Sequence, residues 1–171
     1  PHDVNLNPDM SDGFTVSVWV KIRNLGNGAS TPILDKDTSH DRWYLRIRDD
    51  AGDKIQFNFG DGSGSTDVPP SGQEVVLSDS DWHHYVFVLK TSGSAWTTAD
   101  QYHDGVAVKT GVDISARSAD TPGTDALTIG SAGTTAVLDG AVAYPKIYAR
   151  SLSEDEVKLL YASGLRVVRG L

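Results

Sequence analysis

The sequence predicts an all-β fold, an antiparallel β-sandwich with one short C-terminal helix. Apolar and polar residues alternate in many short segments, which is the period of a half-buried strand. Clusters of Gly, Asp, Ser and Pro separate these segments, as turns require. The carboxylates are 20 Asp and only 3 Glu. Because Asp favours turns and Glu favours helices, this ratio indicates many loops and little helix.

The alternation is clearest in three segments, at Phe14–Ile22, Trp43–Arg48 and Ile55–Phe59. Residues 49–53 are rich in Asp and Gly, so we expect the second and third segments to form a hairpin. Further strands are predicted around residues 74–77, 83–90, 102–108, 127–129 and 142–148. No linker or repeat interrupts the 171 residues, so we expect a single domain over residues 1–171.

The helix follows the last predicted strand. Ser153 and Glu156 have the spacing of a capping box, in which each side chain satisfies the other residue's backbone N–H group. An apolar stripe at helical spacing comes next, formed by Val157, Leu160 and Tyr161. Gly164 stands where a C-terminal cap is expected.

Composition excludes several functions. The chain has no Cys and therefore no disulfide, thiolate metal site or Cys nucleophile. Its net charge of −8 disfavours nucleic acid and anionic membrane surfaces as partners. No apolar run approaches the roughly 18 residues of a membrane helix, so we expect no membrane insertion. The N-terminal residues lack the pattern of a signal peptide.

Five motifs, in order along the chain, carry a resemblance to a known family. They lie at Phe14–Lys21, Trp82–Phe87, Tyr102–Val106, Leu127–Gly130 and Leu138–Ser153. Together they resemble laminin G-like domains, which are concanavalin A-like jelly-roll sandwiches. The resemblance implies a jelly-roll fold and a role in carbohydrate binding, protein binding, adhesion or structure. It implies fold more firmly than function, because one fold hosts many functions.

The closing motif departs from the family pattern. An Asp-Glu pair that is usual in the last strand is replaced here by Ala143 and Tyr144, and Pro145 follows. Proline cannot donate a ladder hydrogen bond, so this segment suits an edge or a bulge. The function of the acidic pair is therefore absent from this chain.

Catalysis is not predicted. Glucanases of related folds carry a strand with Glu-x-Asp-x-x-Glu, because glycoside hydrolysis needs two carboxylates that flank the scissile bond. The three Glu residues are Glu74, Glu154 and Glu156, and the last two open the helix. The adjacent His83 and His84 should point to opposite sides of a strand, so they cannot converge on one ion.

A candidate cation site lies at residues 35–41, directly before the Trp43–Arg48 segment. Oxygen-bearing side chains occur at alternate positions, at Asp35, Asp37, Ser39 and Asp41, which is how acidic loops present ligands to calcium. His40 occupies the position at which an EF-hand needs Gly, so this is not an EF-hand. The two interpretations are a calcium site on a connecting loop and a solvated Asp-rich turn.

A possible ligand face follows from the alternation. If Phe14, Trp43 and Ile55 point into the core, the intervening polar and aromatic residues share the opposite face. The ligand-binding candidates on it are Trp19, Arg42, Tyr44, Arg46, Arg48 and Gln56, accompanied by Lys21, Lys54 and Asn58. Aromatic rings and guanidinium groups would suit an acidic glycan or an acidic protein patch. Alternatively, the Arg stems cover a sheet face and pair with nearby carboxylates.

Two functions are consistent with these observations. The first is a non-catalytic binding or adhesion module that recognises a glycan or a surface protein. The second is a structural assembly protein, such as a decoration or fibre component of a phage virion or cell-surface structure, docked on scaffold or capsid-type chains. Both predict an extracellular, cell-surface or virion-surface location. An edge left unpaired by a missing family strand would favour assembly.

Overall fold

A computed structural model describes residues 12–24, 30–36, 43–48, 53–61, 64–70, 73–77, 79–117, 126–132 and 136–170. It confirms the predicted all-β jelly-roll sandwich with a C-terminal helix. Two antiparallel sheets pack face to face around one apolar core. No helix in the described part of the chain is long and apolar enough to cross a membrane.

Sheet A has the strand order β13-β1-β7-β8-β9. Its strands are β1 (Phe14–Ile22), β7 (Trp82–Ser92), β8 (Ala95–His103), β9 (Val106–Asp113) and β13 (Gly140–Tyr148). Sheet B has the order β10-β2-β3-β4-β5, with β6 also paired to β4. Its strands are β2 (Thr31–Asp35), β3 (Trp43–Arg48), β4 (Lys54–Gly60), β5 (Ser65–Val68), β6 (Val75–Val76) and β10 (Thr128–Ile129). A small ribbon joins β11 (Ser131–Ala132) to β12 (Ala136–Val137).

The core is built as the alternation predicts. Every second residue of β1 from Phe14 to Ile22 points between the sheets and is buried. Aromatic rings from the two sheets pack against each other. Measured between ring centroids, Trp43 lies 5.7 Å from Phe14 and 6.0 Å from Phe57, and Phe57 stacks on Phe87 at 5.0 Å. The predicted β3–β4 hairpin pairing is also confirmed, with Arg46 opposite Gln56.

The single strand predicted around residues 102–108 is wrong, because a turn at Asp104 and Gly105 separates β8 from β9. Among the strands that the alternation did not predict, β2 and most of β8 have clear physical reasons for being missed. In β2, a bulge between Pro32 and Leu34 buries both Ile33 and Leu34, so the period of two is lost. In β8, polar residues are buried, including Asp100 and Gln101. Polar groups inside a sheet hide the alternation on which a sequence prediction depends.

Helix α1 (Glu154–Val168) begins as predicted. The Ser153 hydroxyl accepts a hydrogen bond from the Glu156 N–H, and the Glu156 carboxylate accepts one from the Ser153 N–H. Arg150 adds a two-pronged ion pair to the same carboxylate, at 3.0 and 2.6 Å. The predicted C-terminal cap at Gly164 is wrong, because the helix continues to Val168 and Gly164 lies inside it.

Helix α1 covers the outer face of sheet A. A second apolar cluster forms there from Val86, Val88, Tyr102, Leu152 and Val157. The connection into the helix is pinned to β1: the Thr15 hydroxyl donates to the Arg150 carbonyl at 2.8 Å and accepts from the Leu152 N–H at 3.1 Å. Both faces of the central strands β1 and β7 are therefore largely buried.

The contacts of the Glu156 carboxylate at the start of helix α1 predict that the stability of the fold depends on pH. The Arg150 guanidinium, followed by the Ser153 N–H, lowers the pKa of Glu156 to about 2. A carboxyl group whose folded pKa is depressed stabilises the fold above its ordinary value of 4.5, and this stabilisation is lost as pH falls toward 2. We expect Glu156→Gln to lower the melting temperature at pH 7 and to have a smaller effect at pH 2.

Circular dichroism melts between pH 2 and pH 7 measure this difference. Glu154→Gln is the matched control, because Glu154 pairs only with the exposed Lys158 of the same helix among the described residues. A deficit of Glu156→Gln that is as large at pH 2 as at pH 7 would contradict the prediction.

Candidate functional site

A cavity of about 240 Å³ lies between helix α1 and the edge strand β13. Its floor is the outer face of sheet A, and its walls come from the helix and from the end of β13. The lining residues are Ser17, Trp19, His84, Tyr144, Lys146, Leu160, Ser163, Gly164 and Val167. A second cavity of about 380 Å³ shares Leu160 and Ser163 with the first and extends toward Arg150 and Glu156. We call the two together the α1–β13 groove.

The floor is aromatic. Trp19 stacks on His84, its cross-strand neighbour, at 5.0 Å between ring centroids, and on Tyr161 of the helix at 5.5 Å. A Cβ at Gly164 would overlap the Trp19 indole nitrogen, so only glycine lets the helix come this close. Trp19 is consequently 2% exposed, and it shapes the groove without offering a bare ring face.

His84 and Ser17 form a hydrogen-bonded pair in this floor, with Nε2 and Oγ 2.9 Å apart. Burial lowers the pKa of His84 to about 4, so the imidazole is neutral at pH 7. Nucleophilic catalysis would also need a group that orients the base. No described residue hydrogen-bonds to His84 Nδ1, and both side chains are buried. The pair therefore acts as part of the packed floor.

The wall at β13 is built by a β-bulge. The pairing of β1 with β13 shifts between Ser17 and Trp19, which places Tyr144 and Pro145 opposite Val18. Tyr144 adopts a φ of 48°, an unusual conformation for a large side chain, and is 43% exposed. Strain of this kind persists where the surrounding structure holds it, and it is concentrated at functional sites. The departure from the family pattern at residues 143–145 thus creates the wall.

The groove is charged at both ends. Lys146 is exposed and makes no ion pair with any residue that the structure describes. Arg150, at the other end, is held by Glu156. The cation available to an anionic ligand in the groove is therefore the Lys146 ammonium, beside Tyr144.

The predicted ligand face is divided between the two sheets. Tyr44, Arg46, Arg48 and Gln56 lie together on the outer face of sheet B, in register across β3 and β4. Trp19 and Lys21 lie on sheet A, so their placement on the same face was wrong. Alternation gives the side of a strand but not the sheet to which the strand belongs. Arg42 lies outside the described residues.

The residues on sheet B are largely paired with one another. The Arg46 guanidinium lies over the Tyr44 ring at 4.7 Å, and its Nε donates to the Gln56 Oε1 at 2.9 Å. Arg48 and Lys54 both approach the buried Glu74, at 3.6 and 4.0 Å. Gln56 is fully buried. These contacts support the alternative in which Arg stems cover the sheet and pair with nearby carboxylates.

The predicted calcium loop falls mostly outside the described residues. Asp35 ends β2, and its carbonyl accepts a hydrogen bond from the Thr128 hydroxyl at 3.3 Å. Asp37, Ser39 and Asp41 are not among the described residues. Calcium binding by this loop therefore stays a prediction.

A cluster that the sequence did not reveal lies at the rim of sheet A. His83 Nδ1 is 2.8 Å from Asp104 Oδ2 and 3.1 Å from His103 Nε2. The hydrogen bond with Asp104, opposed by burial, raises the pKa of His83 to about 9. His83 and His84 do point to opposite sides of β7, as expected. The sequence feature that could have indicated this cluster is His103, which replaces the Val that the family motif has before the Asp-Gly turn.

The two packed sheets define a lectin-like β-sandwich domain. Residues 2–158 match the concanavalin A-like lectin/glucanases superfamily, in a laminin G-like family, and the chain belongs to this family. Among curated proteins none matches the sequence.

Solved structures share the fold at low identity. Domain 4 of AbnA, an extracellular arabinanase from Geobacillus stearothermophilus in complex with arabinotriose, has 19% identity and a TM-score of 0.62, with 90% of this chain and 70% of that one covered. The binding domain of Paraclostridial Mosquitocidal Protein 1 has 16% identity and a TM-score of 0.67, with 92% and 38% covered.

The binding domain of Botulinum neurotoxin DC, in complex with rat synaptotagmin II, has 13% identity and a TM-score of 0.66, with 90% and 36% covered. The chain thus spans little more than a third of the length of these two binding domains. These likenesses establish the fold, and two of the three structures described are named as binding domains.

The contact between Gly164 and Trp19 predicts the sign of a substitution. In a helix interior, Gly→Ala alone stabilises by about 1 kcal/mol. Because the new Cβ would overlap the stacked indole, we expect Gly164→Ala to destabilise the protein by about 1–3 kcal/mol. Urea unfolding measures the effect. Gly170→Ala is the control, since its nearest neighbour is an ordinary 3.4 Å contact, and stabilisation by Gly164→Ala would disprove the steric argument.

Proposed function

We propose that this protein is a non-catalytic, surface-acting binding module and that the α1–β13 groove binds one sugar residue of an acidic glycan. The observation that carries the proposal is the strained bulge that sets Tyr144 and Lys146 beside a cavity floored by Trp19. The family membership and the binding domains among its structural neighbours support the general class.

The groove has the chemistry of a sugar site. A half-exposed tyrosine ring stacks on the apolar face of a pyranose, while its hydroxyl stays available for a hydrogen bond. The Lys146 ammonium forms a charge-assisted hydrogen bond with a carboxylate or sulfate. The net charge of −8 means that the protein as a whole does not attract anions. Selection of an acidic sugar would therefore depend on the local charge of Lys146.

The size of the groove limits the ligand. Its inner cavity of about 240 Å³ is smaller than the roughly 300–1,000 Å³ that encloses a drug-sized molecule. One sugar residue would fill it, and neighbouring residues of the glycan would run along the second cavity toward Arg150. Recognition would then favour a terminal or protruding acidic residue over a buried internal one.

A glycan array followed by calorimetric titration tests the site. We expect Tyr144→Ala and Lys146→Ala each to weaken binding by about tenfold or more, as loss of a central contact does. Lys21→Ala is the matched control, because Lys21 is an exposed lysine of the same sheet that does not line the groove. Failure to bind any acidic glycan would refute the proposal.

The residues of sheet B provide the competing location. Arg46→Ala removes the guanidinium that lies over Tyr44 and should leave the affinity unchanged if the groove is the site. A loss with Arg46→Ala, together with normal binding by Tyr144→Ala, would move the site to Tyr44, Arg46, Arg48 and Gln56 on sheet B. Repeating the array with calcium and then with chelator tests whether the Asp35–Asp41 loop contributes.

Strand β9 favours the second candidate function, structural assembly. It ends the strand order of sheet A, and it exposes Val106 at 67% and Val108 at 41%. An apolar edge strand is a template for pairing with another chain. The partner in this case would be a scaffold chain or a second copy of the protein on a virion or cell surface.

Light scattering after size exclusion measures self-assembly through this edge. An assembly protein should form oligomers at micromolar concentration, and the double substitution Val106→Lys with Val108→Lys should return it to a monomer. Val137→Lys is the control, because Val137 is equally exposed, at 65%, away from β9. A wild-type monomer at all concentrations would exclude self-assembly.

A further inference from the structure

The rim cluster places three metal-type donor atoms at one point. His83 lies at the start of β7, His103 ends β8, and Asp104 lies in the turn between β8 and β9. The distances are 3.1 Å between His83 Nδ1 and His103 Nε2, 2.8 Å between His83 Nδ1 and Asp104 Oδ2, and 3.5 Å between His103 Nε2 and Asp104 Oδ2. Each atom therefore lies close to both of the others.

We propose that His83, His103 and Asp104 form a binding site for a divalent transition-metal ion of the zinc type. In tetrahedral coordination with bonds of about 2.0–2.1 Å, neighbouring ligand atoms stand about 3.3 Å apart. The three observed separations surround this value, so shifts of a few tenths of an ångström bring the donors to it. A solvent molecule would complete the tetrahedron.

Surrounding contacts already orient the three donors. The second nitrogen of His83 lies 2.9 Å from Asp79 Oδ1, which fixes the ring as a carboxylate does behind a zinc-bound histidine. The second oxygen of Asp104 accepts the His84 N–H at 2.8 Å. The His103 ring stacks on the buried Tyr85 at 4.9 Å with an interplanar angle of 7°. Little side-chain freedom remains to be lost when an ion binds.

The donor set selects the type of ion. Two imidazole nitrogens and one carboxylate oxygen suit zinc and its neighbours, whereas calcium and magnesium prefer oxygen ligands alone. The site is thus chemically distinct from the predicted Asp35–Asp41 calcium loop. His83, His103 and Asp104 are partly exposed, at 18%, 24% and 30% of their side-chain areas, so an ion can enter from solvent.

Metal binding replaces the direct contacts among the three donor atoms with three bonds to the ion. The proton shared by His83 Nδ1 and Asp104 Oδ2 leaves to solvent, and both atoms bond to the metal together with His103 Nε2. The ion would tie the approach to β7 to the β8–β9 turn. Because the folded chain alone assembles the three donors, binding should raise the melting temperature by mass action.

Calorimetry with zinc chloride on tag-free, chelator-treated protein tests the proposal. We expect binding of one ion per chain, a rise in melting temperature and an intense tetrahedral visible spectrum with Co²⁺. His103→Gln should weaken zinc binding by more than about tenfold while keeping the fold, since His103 is partly exposed. Asp81→Asn is the control, because Asp81 is an exposed carboxylate near the rim but outside the cluster.

Two results would overturn the proposal: no saturable zinc binding at micromolar concentration, or equal affinities of His103→Gln and the wild-type protein. Glycan binding is measured separately in Tyr144→Ala, so the zinc site and the groove can fail independently.

Discussion

The outer face of sheet A is the constraint on which the rest of this structure depends. Its strands carry Trp19, Val86, Val88 and Tyr102 on the side away from the core, and each of these side chains is at most 4% exposed. A sheet that is apolar on both faces must be covered on both. Helix α1 provides the second cover, and the capping box at Ser153 and Glu156 starts it where the chain leaves β13.

The groove is a consequence of that packing. Gly164 lets the helix approach Trp19 closely, and the bulge in β13 places Tyr144 at the wall of the cavity. The cavity lies between the close contact of helix α1 with Trp19 and the strained segment of β13 at Tyr144. The candidate site therefore lies on a strand and a helix, and such elements position side chains more accurately than a loop does.

Much of the fold could be predicted from local pattern. β1 was found with its full length and correct inner face because its alternation from Phe14 to Ile22 is uninterrupted. The start of the helix was found because capping is a short-range interaction. β2 and β8 were missed, since a bulge and buried polar residues such as Gln101 break the period on which the prediction depends.

The sequence by itself determined the all-β class, the family and the face of each clear strand, because these follow from alternation and from motifs within a few residues. It also excluded disulfides and thiolate chemistry. Only the tertiary structure decided that Trp19 and Arg46 lie on different sheets, and that His83 meets His103 and Asp104. Those outcomes depend on the pairing of strands that are far apart in the sequence. The packing of the whole sandwich sets this pairing, and local periodicity carries no information about it.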